Sequence, residues 1–342
     1  MQSGLHIKRP PHCRAIKIQT QMRKALKVIF ICAVVALCCL PTKAQTKKSN
    51  IPIPEGTYMF AERDTCKLFM DIYEPEKGTT KFVTGREKPT VIFMFGGGFI
   101  RGSRADGDML PVFGRMRSEG IRVVSIDYRL GLKGQKGGVG IGNVDELDNA
   151  IHMAVEDLYS ATEFILSNAG ELGINPDNLV LMGSSAGAIS VLQAEYELCN
   201  RREIAGVLPD SFRYKGVISL AGAILSRDGS LKYNERPCPM LLFHGTKDKV
   251  VNYKQIKVFK LGWFGSNTIA SVCRKQGYEH SIYRFEGSRH EIADSAMENL
   301  PVILDFLETN VTEGVARYVD ATVVDPRIRP SDLTLDSLYE GE

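Results

Sequence analysis

The 342 residues are 44% hydrophobic and 24% charged, which supplies core for one large domain or two small ones and excludes a disordered chain. The formal net charge of +3 is unevenly placed: residues 1–44 hold eight Lys/Arg and no Asp/Glu. From Gln45 onward 35 basic side chains face 40 acidic ones, a net of about −5, with no concentrated basic run beyond Lys47–Lys48, so nucleic acid is not an expected partner.

In chain order, the stretch from Met22 reads as an export signal. MRKAL is a positive n-region, KVIFICAVVALCCL an apolar stretch of about a dozen residues, and Thr42-Lys43-Ala44 a small-x-small cleavage site. That run is too short for an ordinary membrane span. Cleavage after Ala44 is expected, with export to a periplasmic or extracellular location and no stable membrane insertion afterwards. An uncleaved anchor, or a lipid attached at Cys38 or Cys39, are the alternatives. Residues 1–21 read as an extension upstream of the true start, 45–57 as a linker. Cys66, Cys199, Cys238 and Cys273 remain after cleavage, as up to two disulfides of unknown pairing or as buried thiols. None has zinc-site spacing.

Tyr58–Phe60 and Leu68–Tyr73 predict an antiparallel hairpin. Val91–Phe95, Val123–Ile126, Leu179–Met182, Val217–Leu220, Met240–Phe243 and Ile282–Phe285 are short apolar runs of the kind that form strands buried on both faces. Helical periodicity lies between them, over Ile151–Ile165 with Gly170 as a stop, Ala186–Leu198 and Ile292–Leu307. The alternation predicts an α/β fold with one mostly parallel, doubly wound sheet whose ligands bind at the strands' carboxyl ends. Gly131–Asn143 reads as a glycine-rich loop and Tyr253–Ser266 as an insertion carrying Phe259, Trp263 and Phe264. The tail over 310–342 reads as coil.

Within LMGSSAGAIS, Gly183–Gly187 fits G-x-S-x-G with Ser185 central. The pentapeptide alone is a weak signal; its place between a buried strand and a helix is stronger. Such a turn lifts a serine Oγ into a pocket and offers the Ala186 N–H at the helix start to a developing oxyanion. Ser184 reads as a turn hydroxyl. A serine nucleophile needs a base and an orienting carboxylate. Four histidines follow residue 44. His152 lies on a helix, His244 in position to brace a turn, and His280 just ahead of a strand. His290 sits between the last strand and the last helix, at the sheet's carboxyl edge, and is the natural base. Asp248, just past another strand, is the natural acid, and Gly96-Gly97-Gly98 follow an earlier strand as a second source of oxyanion N–H groups. No Gly-Lys-Ser/Thr follows these glycines, which excludes a phosphate loop.

Phe95-Gly-Gly-Gly-Phe99, Val124-Ser-Ile-Asp-Tyr-Arg-Leu130, Asn175 through Gly187 and His244-Gly-Thr-Lys-Asp248 together resemble the esterase/lipase branch of the α/β-hydrolase superfamily over about 58–309. The elbow and glycine loop look like carboxylesterases of the cholinesterase type, which are longer and usually carry a glutamate as acid. The short chain and the HGTKD acid look more like hormone-sensitive-lipase-like esterases and secreted carbohydrate esterases that remove acetyl or feruloyl groups. The resemblance implies Ser185 as nucleophile, His290 as base, Asp248 as acid and Gly97, Gly98 and Ala186 as oxyanion donors. It implies no metal or organic cofactor, and a small or glycan-linked ester as substrate; Tyr253, Trp263 and Phe264 read either as aromatic platforms for a glycan or as core packing or a helix face. Phe95 departs from the His that often stands there, which removes a brace for the loop. A prolyl-oligopeptidase-type peptidase and an inactive binding module of the same fold are the rival readings.

Overall fold

The computed structural model describes residues 51–334, apart from 65, 81, 84 and 135–143, together with residue 337. The export segment and most of the glycine-rich loop lie outside these residues; Gly131–Gly134 form a turn. The described residues form one compact unit.

The hairpin forms as expected, from β1 (Gly56–Arg63) and β2 (Cys66–Tyr73), antiparallel with a register shift between Met59 and Ala61. A two-residue pair, β3 (Phe82–Val83) and β4 (Arg86–Glu87), follows. The apolar runs become β5 (Thr90–Met94), β6 (Arg122–Ile126), β7 (Leu179–Ser184), β8 (Gly216–Leu220), β10 (Met240–Gly245) and β13 (His280–Phe285). Every residue of β5, β7, β8 and β10 is buried, which is why these strands read as continuous apolar runs and not as alternations.

The nine-stranded sheet runs β1-β2-β6-β5-β7-β8-β10-β13-β14, antiparallel at its first two junctions beyond β1 and parallel from β6 onward. Helices α1 (Leu110–Ser118), α2 (Val144–Ser167), α3 (Ala186–Cys199), α4 (Ser266–Gln276) and α5 (Leu300–Phe306) connect or flank the strands. Helix α3 lies against β5, β7 and β8 with α2 packed outside it, and all fourteen of its residues are buried. The chain winds one way from β5 to β6 and the other way from β7 to β8. The crevice between the carboxyl ends of β5 and β7 is therefore the topological switch point, the place where such sheets bind ligands.

Two expectations need correction. Ile292–Leu307 is not one helix: a 3-10 turn (His290–Asp294) comes first, and α5 starts afresh with Pro301 in its first turn. Proline has no N–H to continue a preceding helix but suits a new one. The tail is not simply coil, because β14 (Val319–Val323) adds a parallel edge strand on β13. The insertion is ordered: β11 (Gln255–Val258) and β12 (Leu261–Gly265) pair with β9 (Ala223–Ser226) in a separate three-stranded sheet.

Candidate active site

Strand β7 ends at Ser184 and α3 begins at Ala186, so Ser185 alone makes the turn, at φ +49° and ψ −115°. Such a backbone costs a non-glycine residue on the order of 1–3 kcal/mol and persists only where its surroundings enforce it. Here the enforcement is steric. A Cβ on Gly183 would sit 2.3 Å from the Gly187 carbonyl oxygen, and one on Gly187 would sit 2.1 Å from that of Met94. The Ser185 N–H donates to the Leu220 carbonyl at the end of β8 (2.9 Å).

The Ser185 hydroxyl thereby reaches Nε2 of His290, 2.8 Å away. His290 Nδ1 lies 2.8 Å from Oδ2 of Asp248. An ionised carboxylate only accepts, so Nδ1 carries the proton and Nε2 is left to accept from the serine. All three residues are buried, although they come from different strand ends. The structure brings together the three residues that the sequence singles out. Asp248 Oδ1 accepts the N–H groups of Val250 (2.9 Å) and Val251 (3.0 Å), which fixes the carboxylate's orientation. Burial alone would raise its pKa, but hydrogen bonds from His244 and His290 outweigh burial and hold the carboxyl far below the usual carboxylate range.

His244 does brace the turn, as expected, and does more. Its Nε2 stands 2.9 Å from the Val251 carbonyl and 3.3 Å from the same Asp248 oxygen that faces His290, while Nδ1 faces Ser266 Oγ at 2.8 Å. Ser184 likewise exceeds its expected role: its hydroxyl donates to the Ala293 carbonyl (2.8 Å), tying the elbow to the segment that carries His290.

The glycine loop leaves β5 directly beside this pair. A Cβ on Gly96 would come within 3.3 Å of Ser185 Cβ. Gly97 and Gly98 adopt φ of +105° and +64°, and a Cβ on Gly97 would meet the Arg101 carbonyl oxygen at 2.1 Å. Side chains are excluded there, so the backbone itself borders the serine. The brace expected to be missing at Phe95 comes from elsewhere. Tyr128 stacks on the Phe95 ring (centroids 4.3 Å apart) and donates its hydroxyl to the Phe95 carbonyl at 2.8 Å. Its signal was present in the Ile-Asp-Tyr-Arg run, whose Asp127 also pairs with Arg104 (2.7 Å) just beyond the glycine loop.

The chain is similar to several known proteins. The BD-FAE family model matches residues 70–205. Secreted lipase 5 of Gibberella zeae is 25% identical over 295 residues, covering 81% of this chain and 53% of its own length. Carboxylesterase 5A of Mus musculus is 32% identical over 126 residues, 36% of this chain and 19% of its own. Esterase 2 of Thermogutta terrifontis, in its apo form, superposes with a TM-score of 0.55 at 21% identity, covering 78% of this chain and 97% of that one. The chain has the α/β-hydrolase fold, and it is similar to esterases and lipases. It spans about half or less of the length of the two sequence relatives named above.

Other candidate residues lie apart from the triad. His152 faces outward on α2, and His280 opens β13 with Nδ1 2.9 Å from the Tyr278 carbonyl. The aromatic platform does not form: Tyr253 and Phe264 are buried, and Trp263 is half-buried and packs against the core. A cavity of about 1050 Å³ opens between α2, α3 and β9, lined by Asp148, His152, Tyr196, Glu197, Arg202 and Arg227 among others. It touches none of the triad. Its guanidinium groups are already spoken for, Arg227 by Asp148 and Arg202 by Asp228, so its size does not make it the reaction site. Among the described residues, no helix is long and apolar enough to cross a membrane.

Proposed function

We propose that the chain is a serine carboxylic ester hydrolase that works through an acyl-enzyme. The observation that carries this reading is the unbroken line Ser185 Oγ–His290 Nε2, His290 Nδ1–Asp248 Oδ2, with 2.8 Å at each step, on a strained elbow beside a glycine loop. Ser185 attacks the ester carbonyl while His290 takes its proton. The Gly97, Gly98 and Ala186 N–H groups receive the negative charge of the tetrahedral intermediate, and the α3 N-terminus adds its positive dipole end. His290 returns the proton to the leaving alcohol, then activates water to clear the acyl group. Asp248 keeps the imidazole in the correct tautomer and stabilises its cation.

The finer reading is an exported enzyme that removes acetyl or feruloyl groups from glycans. It rests on the likeness to secreted esterases, the signal-like residues 22–44 and the mildly acidic body. The Thermogutta esterase, solved with propionate and with butyrate, supports short acyl groups. The deciding experiment replaces Ser185 by Ala and follows 4-nitrophenyl acetate hydrolysis. Turnover should fall by at least about 10³-fold. Retained turnover would end the proposal. Acetylated xylan, feruloylated oligosaccharide and aryl esters of rising chain length then rank the substrates.

A further inference from the structure

The residue after His290 is an acid with no part in the triad. Glu291 is only 7% exposed, and its two oxygens serve different partners. Oε1 accepts the Arg289 N–H at 2.9 Å, within the same loop, and Oε2 accepts the Ser331 N–H at 3.3 Å, forty residues further on. Around this carboxylate the C-terminal segment fastens the loop at both ends. Ahead of it, β14 pairs with β13 from Ser281–Val319 to Phe285–Val323, and the Glu286 N–H donates to the Val323 carbonyl (2.9 Å). Behind it, Arg289 pairs with Asp332 (2.8 Å), while Ile328 and Leu333 pack against the core. The exposed Arg289–Asp332 pair adds little by itself. The buried, doubly accepting carboxylate is the rigid link, since a buried acceptor deprived of its donor carries a desolvation penalty.

We propose that residues 319–334 form a strap that sets the position of His290 through Glu291, making Glu291 a positioning residue for the Ser185–His290 pair. The proposal rests on the reading of His290 as the base. A base displaced by about 1 Å can lower a rate 10²-fold without affecting binding, so the strap should act on kcat and not on KM.

The test uses the full chain and three variants. Glu291→Gln is isosteric but turns an N–H donor toward one of the two N–H groups. Ser331→Pro deletes the N–H to Glu291 together with the hydroxyl that accepts the Leu333 N–H, and Ser331→Ala deletes that hydroxyl alone. The expected result is a fall in kcat for 4-nitrophenyl acetate, and in the rate of fluorophosphonate labelling, of roughly 10- to 100-fold in the first two variants. KM should stay within about twofold, and Ser331→Ala should match the wild type. The downfield proton resonance of the His290 Nδ1–H should shift in Glu291→Gln. Unchanged kcat and resonance in Glu291→Gln would overturn the strap, as would a loss that only follows a fall in folded fraction. Failure of the esterase reading looks different: the wild type would neither turn over nor label, while the resonance would still report whether Glu291 sets the imidazole. Glu291→Gln decides the matter even where Ser331→Pro does not fold.

Discussion

At the scale of single residues, the site is organised by groups that never touch the reacting atoms. Tyr128 is the clearest. Its hydroxyl, buried and therefore pushed well above the usual phenol range, holds the carbonyl of the residue that starts the glycine loop. Tyr128→Phe keeps the stack on Phe95 and deletes this bond with the longer one to the Gly96 carbonyl (3.4 Å), leaving a buried carbonyl without its donor. A stability loss of roughly 1–2 kcal/mol is expected in urea unfolding, together with a several-fold lower kcat as Gly97 and Gly98 lose their fixed pose. Wild-type values for both would remove Tyr128 from the site's support. The same logic separates the two serines: Ser185 faces a base, whereas Ser184 is committed to the Ala293 carbonyl.

At the scale of elements, the sequence shows most clearly what burial writes into it. The fully buried strands and the amphipathic α2 are legible because their hydrophobic patterns span whole elements. The triad is legible because its members follow strand ends. Glu291 was hidden, because its partner Ser331 lies forty residues away and no local pattern links them. Strand β14 was hidden by its brevity and half-burial: Val-Asp-Ala-Thr-Val alternates over only five residues, and Asp320 in it is there to meet Arg284. The break at Pro301 was readable from the residue itself, and the apolar period across it misled.

Helix α2 also carries a pH-dependent contact. His152 Nδ1 lies 3.3 Å from Oδ1 of Asp148, one turn earlier, and this bond raises the imidazole pKa to about 9 against the opposing effect of burial. A raised histidine pKa stabilises the fold fully below the unfolded value near 6.5, and that stabilisation is lost as pH rises through about 9. Because about half of the side chain is exposed (48%), the contribution is below about 1 kcal/mol. Urea unfolding at pH 6 and pH 9.5 should show the wild type losing more stability than His152→Gln over that interval. Equal losses would mean the contact carries no net energy.

At the scale of the whole molecule, the charge of the chain changes sign a few residues ahead of the described fold. The eight Lys and Arg of 1–44 precede Gln45, and the acidic remainder contains the compact unit, described from Ile51 onward. The first ties of that unit are made a few residues later. The Glu55 N–H donates to the Ile72 carbonyl at 2.8 Å, and Glu55 Oε2 accepts the Glu74 N–H at 2.8 Å, just ahead of β1. In sequence, Gln45–Asn50 stand between the proposed cleavage bond and this anchored backbone. Expression with the native N-terminus in a secreting host should yield a product whose intact mass and N-terminal sequence begin at Gln45. Deleting 22–44 should leave an equally stable protein inside the cell. A secreted product that keeps residues 22–44 would make the segment an anchor, and one whose N-terminus is a lipid-modified Cys38 or Cys39 would make it a lipoprotein signal.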